Sequence, residues 1–192
     1  MIFNVFIASL FAATSTAIPA AHRARADPTT TGSSTSTSSS ASASASSSSG
    51  GGGGFQIVNN LDSTVYLWTT SDSSGDMQTL NSGGGTYSDK WATNSNGGGI
   101  SIKMSTSQSE DSVLQFEYTE DGDKLYWDLS SINLDSDSDF VKSGFSVSPS
   151  DSSCSSASCA AGDSDCADSY QHPDDTNTNS CSTSAQYTVT LG

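Results

Sequence analysis

Arginine is absent after Arg25, and from Phe55 to Gly192 only four cations, Lys90, Lys103, Lys124 and Lys142, face twenty Asp and Glu residues. A surface this acidic repels phosphate backbones and anionic lipid headgroups, so nucleic acid is not an expected partner and neither is a membrane surface. Cysteine is scarce as well, with four residues and none before Cys154. The chain contains no Asn-x-Ser/Thr acceptor, so any attached sugar must be O-linked. No segment shows the three-to-four-residue apolar spacing of an amphipathic helix. Those absences leave an acidic, helix-poor chain of 192 residues whose folding part holds one domain at most.

What is present divides into three parts. "MIFNVFIASLFAATSTAIPA" has an apolar run followed by small residues, the pattern of a secretory leader over 1–20. The alternative, an uncleaved anchor, is disfavoured by a run that is short for a bilayer and broken by Asn4 and Ser9. Residues 21–54 read as a disordered linker: from Thr29 to Ser49 all but Gly32 are Ser, Thr or Ala, and Gly50 to Gly54 follow unbroken. Such a segment buries too little to offset its conformational entropy. Unmodified, a 26-residue piece of it spans roughly 25–30 Å, and its hydroxyl density suits an O-glycosylated stalk.

From Phe55 onward the period is two. Ile100, Ile102 and Met104 alternate with polar residues, as do Leu114, Phe116 and Tyr118, then Leu125, Trp127 and Leu129, then Tyr187, Val189 and Leu191. These are half-buried strands, and Val65 to Trp68 reads as a more central one. The strands are separated by "SDSSGD", "NSGGG", "NSNGGG" and "EDGD", which are turn chemistry. Short strands with Gly-rich turns and no helix predict an all-β antiparallel sandwich over 55–192.

The stretches "FQIVNNLDSTVYLW", "QTLNSGGGTYSDKW", "GGGISIKM", "KLYWDLSSIN", "SCSSASCAA", "CADSYQHPDD" and "SCSTSAQYTVTLG" occur in order and in rough register with one family. The chain resembles the thaumatin-like proteins, and within them the short fungal branch that holds the yeast-phase-specific proteins. The resemblance covers essentially all of Phe55 to Gly192. It implies a secreted, extracellular or cell-wall-associated protein, with Cys154 paired to Cys181 and Cys159 to Cys166. Sequence spacing alone leaves three pairings open. Four thiolates would also suit zinc, but there is no C-x-x-C knuckle and a secreted chain oxidises its thiols, so no metal is expected. No cofactor is implied.

Two departures from the family pattern bear on function. Leu61 and Gly192 stand where the family joins its first and last strands by a disulfide; both cysteines are missing together. Only "AAGDSD" separates Cys159 from Cys166, where larger relatives carry a second lobe that walls an acidic, glucan-binding cleft. Of that cleft's five charged positions, the Arg falls on Gly99, the Glu on Gln115, and the Asp residues on Asp128, Asn133 and Asp168. Asp128 and Asp168 are thus the one inherited carboxyl pair, and Gln115 and Asn133 keep polarity without charge. A glycosidase needs one protonated and one ionised carboxyl at a set separation. With no cation or apolar pocket evident beside it, neither Asp is expected to have a shifted pKa.

The resulting expectation is a non-catalytic, monomeric, secreted protein that contacts β-glucan, another wall polysaccharide or a partner protein, using a flat face with aromatics. The rivals are a weak endo-β-1,3-glucanase with Asp128 and Asp168, and an effector or antigen whose acidic face engages a basic protein. Three sharper motifs have plainer readings. "DSDSDF" (135–140) lacks the Gly and Glu of a calcium loop and reads as a solvated acidic loop. Ser169, His172, Asp174 and Asp175 are too local in sequence for a triad and read as a surface loop. Tyr87, Trp91 and Tyr126 are read first as core or rim packing and second as sugar-stacking rings.

Overall fold

The computed structural model of the protein describes residues 53–192. The leader at 1–20 and nearly all of the linker lie outside the described residues. Two sheets face each other. The strands are β1 (Gly54–Asn59), β2 (Val65–Thr70), β3 (Gln78–Leu80), β4 (Gly85–Lys90), β5 (Ile100–Ser105), β6 (Leu114–Asp121), β7 (Lys124–Ser130), β8 (Phe145–Pro149), β9 (Ala157–Cys159), β10 (Asn179–Ser182) and β11 (Gln186–Leu191). The five-stranded sheet has the order β4-β1-β11-β8-β9 and the six-stranded sheet the order β10-β7-β6-β5-β2-β3. Every alternating segment identified from the sequence is a strand of this sandwich.

Two features differ from the expected all-antiparallel, helix-free sandwich. The pair β1 and β11 runs parallel, because the chain's first and last strands enter the sheet from the same end. A single helical turn, α1 (Asp139–Ser143), follows the acidic loop, with the Ser138 hydroxyl accepting from the Val141 amide as its N-cap. Five residues are too few to show a helical period, whereas Phe140 and Val141 are buried once the turn docks. Asp139 begins this turn and accepts a 2.6 Å hydrogen bond from the Ser63 hydroxyl, which ties the end of the acidic run to the β1–β2 connection.

The core lies between the sheets and is rich in rings. Phe55 of β1 meets Phe116 and Tyr118 of β6 at centroid distances of 5.9 Å each, and Trp127 of β7 meets Tyr187 of β11 edge-on at 5.7 Å. Trp91 packs on Tyr118 at 4.9 Å and donates its indole N–H to the Thr183 carbonyl. Tyr87 and Trp91 therefore belong to the rim of the core. That Trp91 bond also accounts for the end of the glycine run. A Cβ on Gly53 would lie 1.6 Å from the Thr183 oxygen and one on Gly54 2.4 Å from the Asp89 oxygen, so only glycine lets β1 enter here.

The missing first-to-last bridge has a visible substitute. Leu61 is buried, and a Cβ on Gly192 would sit 3.0 Å from its Cδ2, so the leucine fills the space against the terminal glycine. The Asn60 amide donates to the Leu191 carbonyl at 2.8 Å, and its side chain to the Gly192 carbonyl at 3.1 Å. Beside this junction Asn59 has no exposed surface. Its Nδ2 donates to the carbonyls of Ser63, Leu80 and Asn81, and its Oδ1 accepts from the Leu61 amide. Asn59→Ala strands those buried backbone groups and should destabilise the fold by about 2 kcal/mol in urea unfolding. A loss below about 0.5 kcal/mol would show that water replaces the amide.

Candidate functional site

The same alternation that fills the core lays polar side chains on the outer face of the six-stranded sheet. Strand register orders them in two rows. Trp68, Lys103, Gln115 and Ser130 lie side by side across β2, β5, β6 and β7, and Thr70, Ser101, Glu117 and Asp128 form the next row. Gln115 is buried: its Oε1 accepts from the Ser101 hydroxyl at 3.1 Å and its Nε2 donates to Ser130 Oγ at 3.4 Å. Lys103 reaches out of its row to Glu110, 2.7 Å away. Where the sequence pattern leaves an uncharged amide for a carboxylate, the structure thus holds a structural hydrogen-bonding link.

Asp128 sits directly opposite Glu117. Opposite residues of an antiparallel pair have Cβ atoms roughly 4.5–5.5 Å apart, so the two carboxyls are close neighbours. Burial pushes Asp128 up to about 7, and the Glu117 charge adds to the rise. Its Oδ1 is enclosed without a hydrogen-bond partner. Burial likewise raises Glu117 above its ordinary value, partly offset by the Ser101 hydroxyl and the Lys103 charge. This overturns the expectation that Asp128 has no reason for a shifted pKa: desolvation and a second carboxylate supply it.

Asp168 has other surroundings. It is exposed, and its Oδ2 accepts from the Ser158 amide at 2.9 Å. It lines an open groove of about 260 Å³ with Ser156, Ala157, Asn177, Thr178 and Asn179, and Asp128 is not part of that lining. Asn133 is exposed in the segment after β7, its carbonyl accepting from the Val113 amide. Among the described residues no hydrogen bond joins Gln115, Asn133, Asp128 or Asp168 to another of the four. The partner that faces Asp128 is Glu117, which the family pattern did not single out. A signal for it was present: a two-residue turn at Gly122 and Asp123 pairs Asp121 with Lys124, and counting back places 117 opposite 128.

The loops around the groove are tied by two disulfides, Cys154–Cys181 and Cys159–Cys166. The outer bridge connects the segment after β8 to β10, the edge of the other sheet. Ser169 is buried against Ser131, with 2.8 Å between the hydroxyls, while His172 is exposed and its ring lies 3.9 Å from Asp175. Asp175 instead accepts the Gln171 and His172 backbone amides, which hold its pKa below the ordinary value. The hydroxyl and the imidazole are thus engaged separately, and this loop forms no triad.

The family model of Bys1, the Blastomyces yeast-phase-specific protein, matches residues 25–192. The chain belongs to the Bys1 family. Among relatives of this chain, the secreted thaumatin-like protein calA of Emericella nidulans is 52% identical over 136 residues, 71% of this chain and 79% of calA. The antigenic thaumatin-like protein of Arthroderma benhamiae is 38% identical over 136 residues, 70% of this chain and 68% of that protein. Among solved structures, the protein elicitor MoHrip2 from Magnaporthe oryzae superposes with a TM-score of 0.59 at 26% identity, covering 72% of this chain and 98% of MoHrip2. The thaumatin-like xylanase inhibitor TLXI shares the fold at a TM-score of 0.50 and 11% identity, covering 71% of this chain and 97% of TLXI. The protein is therefore a fungal thaumatin-like β-sandwich of extracellular location.

Proposed function

We propose that this protein acts outside the cell as a non-catalytic binding protein that takes β-glucan or a related wall polysaccharide along the open outer face of its six-stranded sheet. The observation that carries this reading is the lack of enclosure. The two best-formed depressions of the described surface hold about 260 and 170 Å³ and open to solvent, below the roughly 300–1,000 Å³ of enclosing ligand pockets. A long polymer needs no enclosure, since it gains from many repeated shallow contacts. The outer face has the chemistry for it: hydroxyls and amides in register, with Tyr126 exposed on β7 as a ring on which a sugar can stack.

Sedimentation of the purified full-length protein with insoluble β-1,3-glucan, alongside a reducing-sugar assay, tests the reading. Binding without sugar release is expected, with Tyr126→Ala weakening it about tenfold, the scale of one aromatic anchor. Unimpaired binding by Tyr126→Ala, or no binding at all, would reject this face as the site.

A second reading, weak hydrolysis, has one specific observation in its favour. Glu117 and Asp128 are adjacent carboxyls of which one stays protonated near neutrality, the arrangement a retaining glycosidase uses at roughly 5–5.5 Å. Sugar release that disappears in Asp128→Asn would establish it.

A further inference from the structure

We propose that Glu117 and Asp128 form a coupled carboxyl pair that adapts this fold to acidic surroundings, with the β6–β7 hairpin weakening as the proton held on the pair is lost to solvent. Geometry carries the argument. The two carboxyls are opposite one another in the ladder, on adjacent strands whose register is fixed by the turn at Gly122 and Asp123. Their Cβ atoms cannot move apart without breaking that ladder. Asp128 is half-buried, and its Oδ1 is enclosed with no donor, so on ionisation that oxygen would carry charge with no hydrogen bond to stabilise it.

The groups around the pair compensate only in part, through the Ser101 hydroxyl and the Lys103 charge acting on Glu117. From β5 come the Ser101 hydroxyl and Lys103, but Lys103 is held 2.7 Å from Glu110 of the β5–β6 connection. On β6 and β7 the flanking outer residues are Gln115, Thr119, Tyr126 and Ser130, none of them cationic. The edge strand β10 carries no charged side chain, and beyond Ser130 the bridged residue is Tyr170. A second charge on this pair is therefore disfavoured relative to the first.

The direction of the pH effect follows. The folded Asp128 titrates at about 7 against 3.8 ordinarily, so between those values the folded chain keeps a proton that the unfolded chain has released. Stability from this pair is complete below about pH 4, declines as pH rises, and is gone above about 7.

Thermal unfolding of the full-length protein from pH 5 to 8.5 at constant ionic strength tests the proposal. The wild-type Tm should fall on the order of 5 °C across the range. Asp128→Asn should flatten that fall, Glu117→Gln should move it to lower pH, and His172→Gln should leave it unchanged. A wild-type Tm that is constant, or an equal fall in Asp128→Asn, would overturn the pair. Should Asp128→Asn not fold, carboxyl-carbon NMR on the wild type decides: Asp128 should titrate near neutrality and shift down in Glu117→Gln, and a midpoint below about 5 refutes the idea. Neither readout involves a polysaccharide, so the outcome is independent of the binding assay.

Discussion

Phe55→Ala should cost about 3–5 kcal/mol, the largest loss expected from any single substitution considered for this protein. Phe55 is 2% exposed and belongs to β1 of the five-stranded sheet. Its ring nevertheless reaches Phe116 and Tyr118 of the opposite sheet, and Tyr87 and Trp91 at 6.1 and 5.7 Å on its own side. Alanine removes the one ring touching all four, and the others, fixed by their own strands, cannot close on the space. Since single domains are stable by only about 5–15 kcal/mol, the variant should be partly unfolded at 37 °C. The check is the urea midpoint at an unchanged m-value; a cost below about 1 kcal/mol would mean that the ring cluster repacks.

Removing the outer disulfide with Cys154→Ala and Cys181→Ala should cost about 3.5 kcal/mol, from the unfolded-chain entropy of a closed loop with a sequence separation of 27. The loss also has a local consequence. Every residue that lines the Asp168 groove, from Ser156 to Asn179, lies within that loop. Limited proteolysis should therefore cut between 155 and 180 in the double variant well before the sandwich unfolds. The inner bridge closes a separation of only 7, so the same entropy argument gives about 2 kcal/mol. Cys159 and Cys166 are each 3% exposed, however, so their replacement also disturbs the core. Resistance of the 155–180 segment in the Cys154/Cys181 double variant would show that hydrogen bonds such as Ser131 to the Tyr170 carbonyl hold it unaided.

Both effects bear on what binding would require. The sandwich supplies a rigid outer face, and the disulfide-bounded segment beside it supplies the groove. The Glu117–Asp128 pair belongs to the outer face and not to the groove.

Strand identity and facing were legible by eye in the sequence, because alternation is a local property of the backbone: Phe116 points inward and Gln115 and Glu117 outward whatever the rest of the chain does. The Glu117–Asp128 register was legible too, from a two-residue turn and simple counting. The short strands β3, β4, β8, β9 and β10 were not: all but β8 are edge strands, which bury little and so carry little apolar signal, and β8 has only Phe145 and Val147 to show its alternation. Nor was the replacement of a missing bridge by Leu61 packed on Gly192, which joins residues from opposite ends of the described chain. Most consequential was the environment of the carboxyls. Sequence placed Asp128 and Asp168 on equal footing as acidic residues, and only the tertiary structure left one exposed in a groove and the other half-buried opposite a second carboxylate. Ionisation depends on desolvation and on neighbours across strands, and those exist only once the sheets have packed.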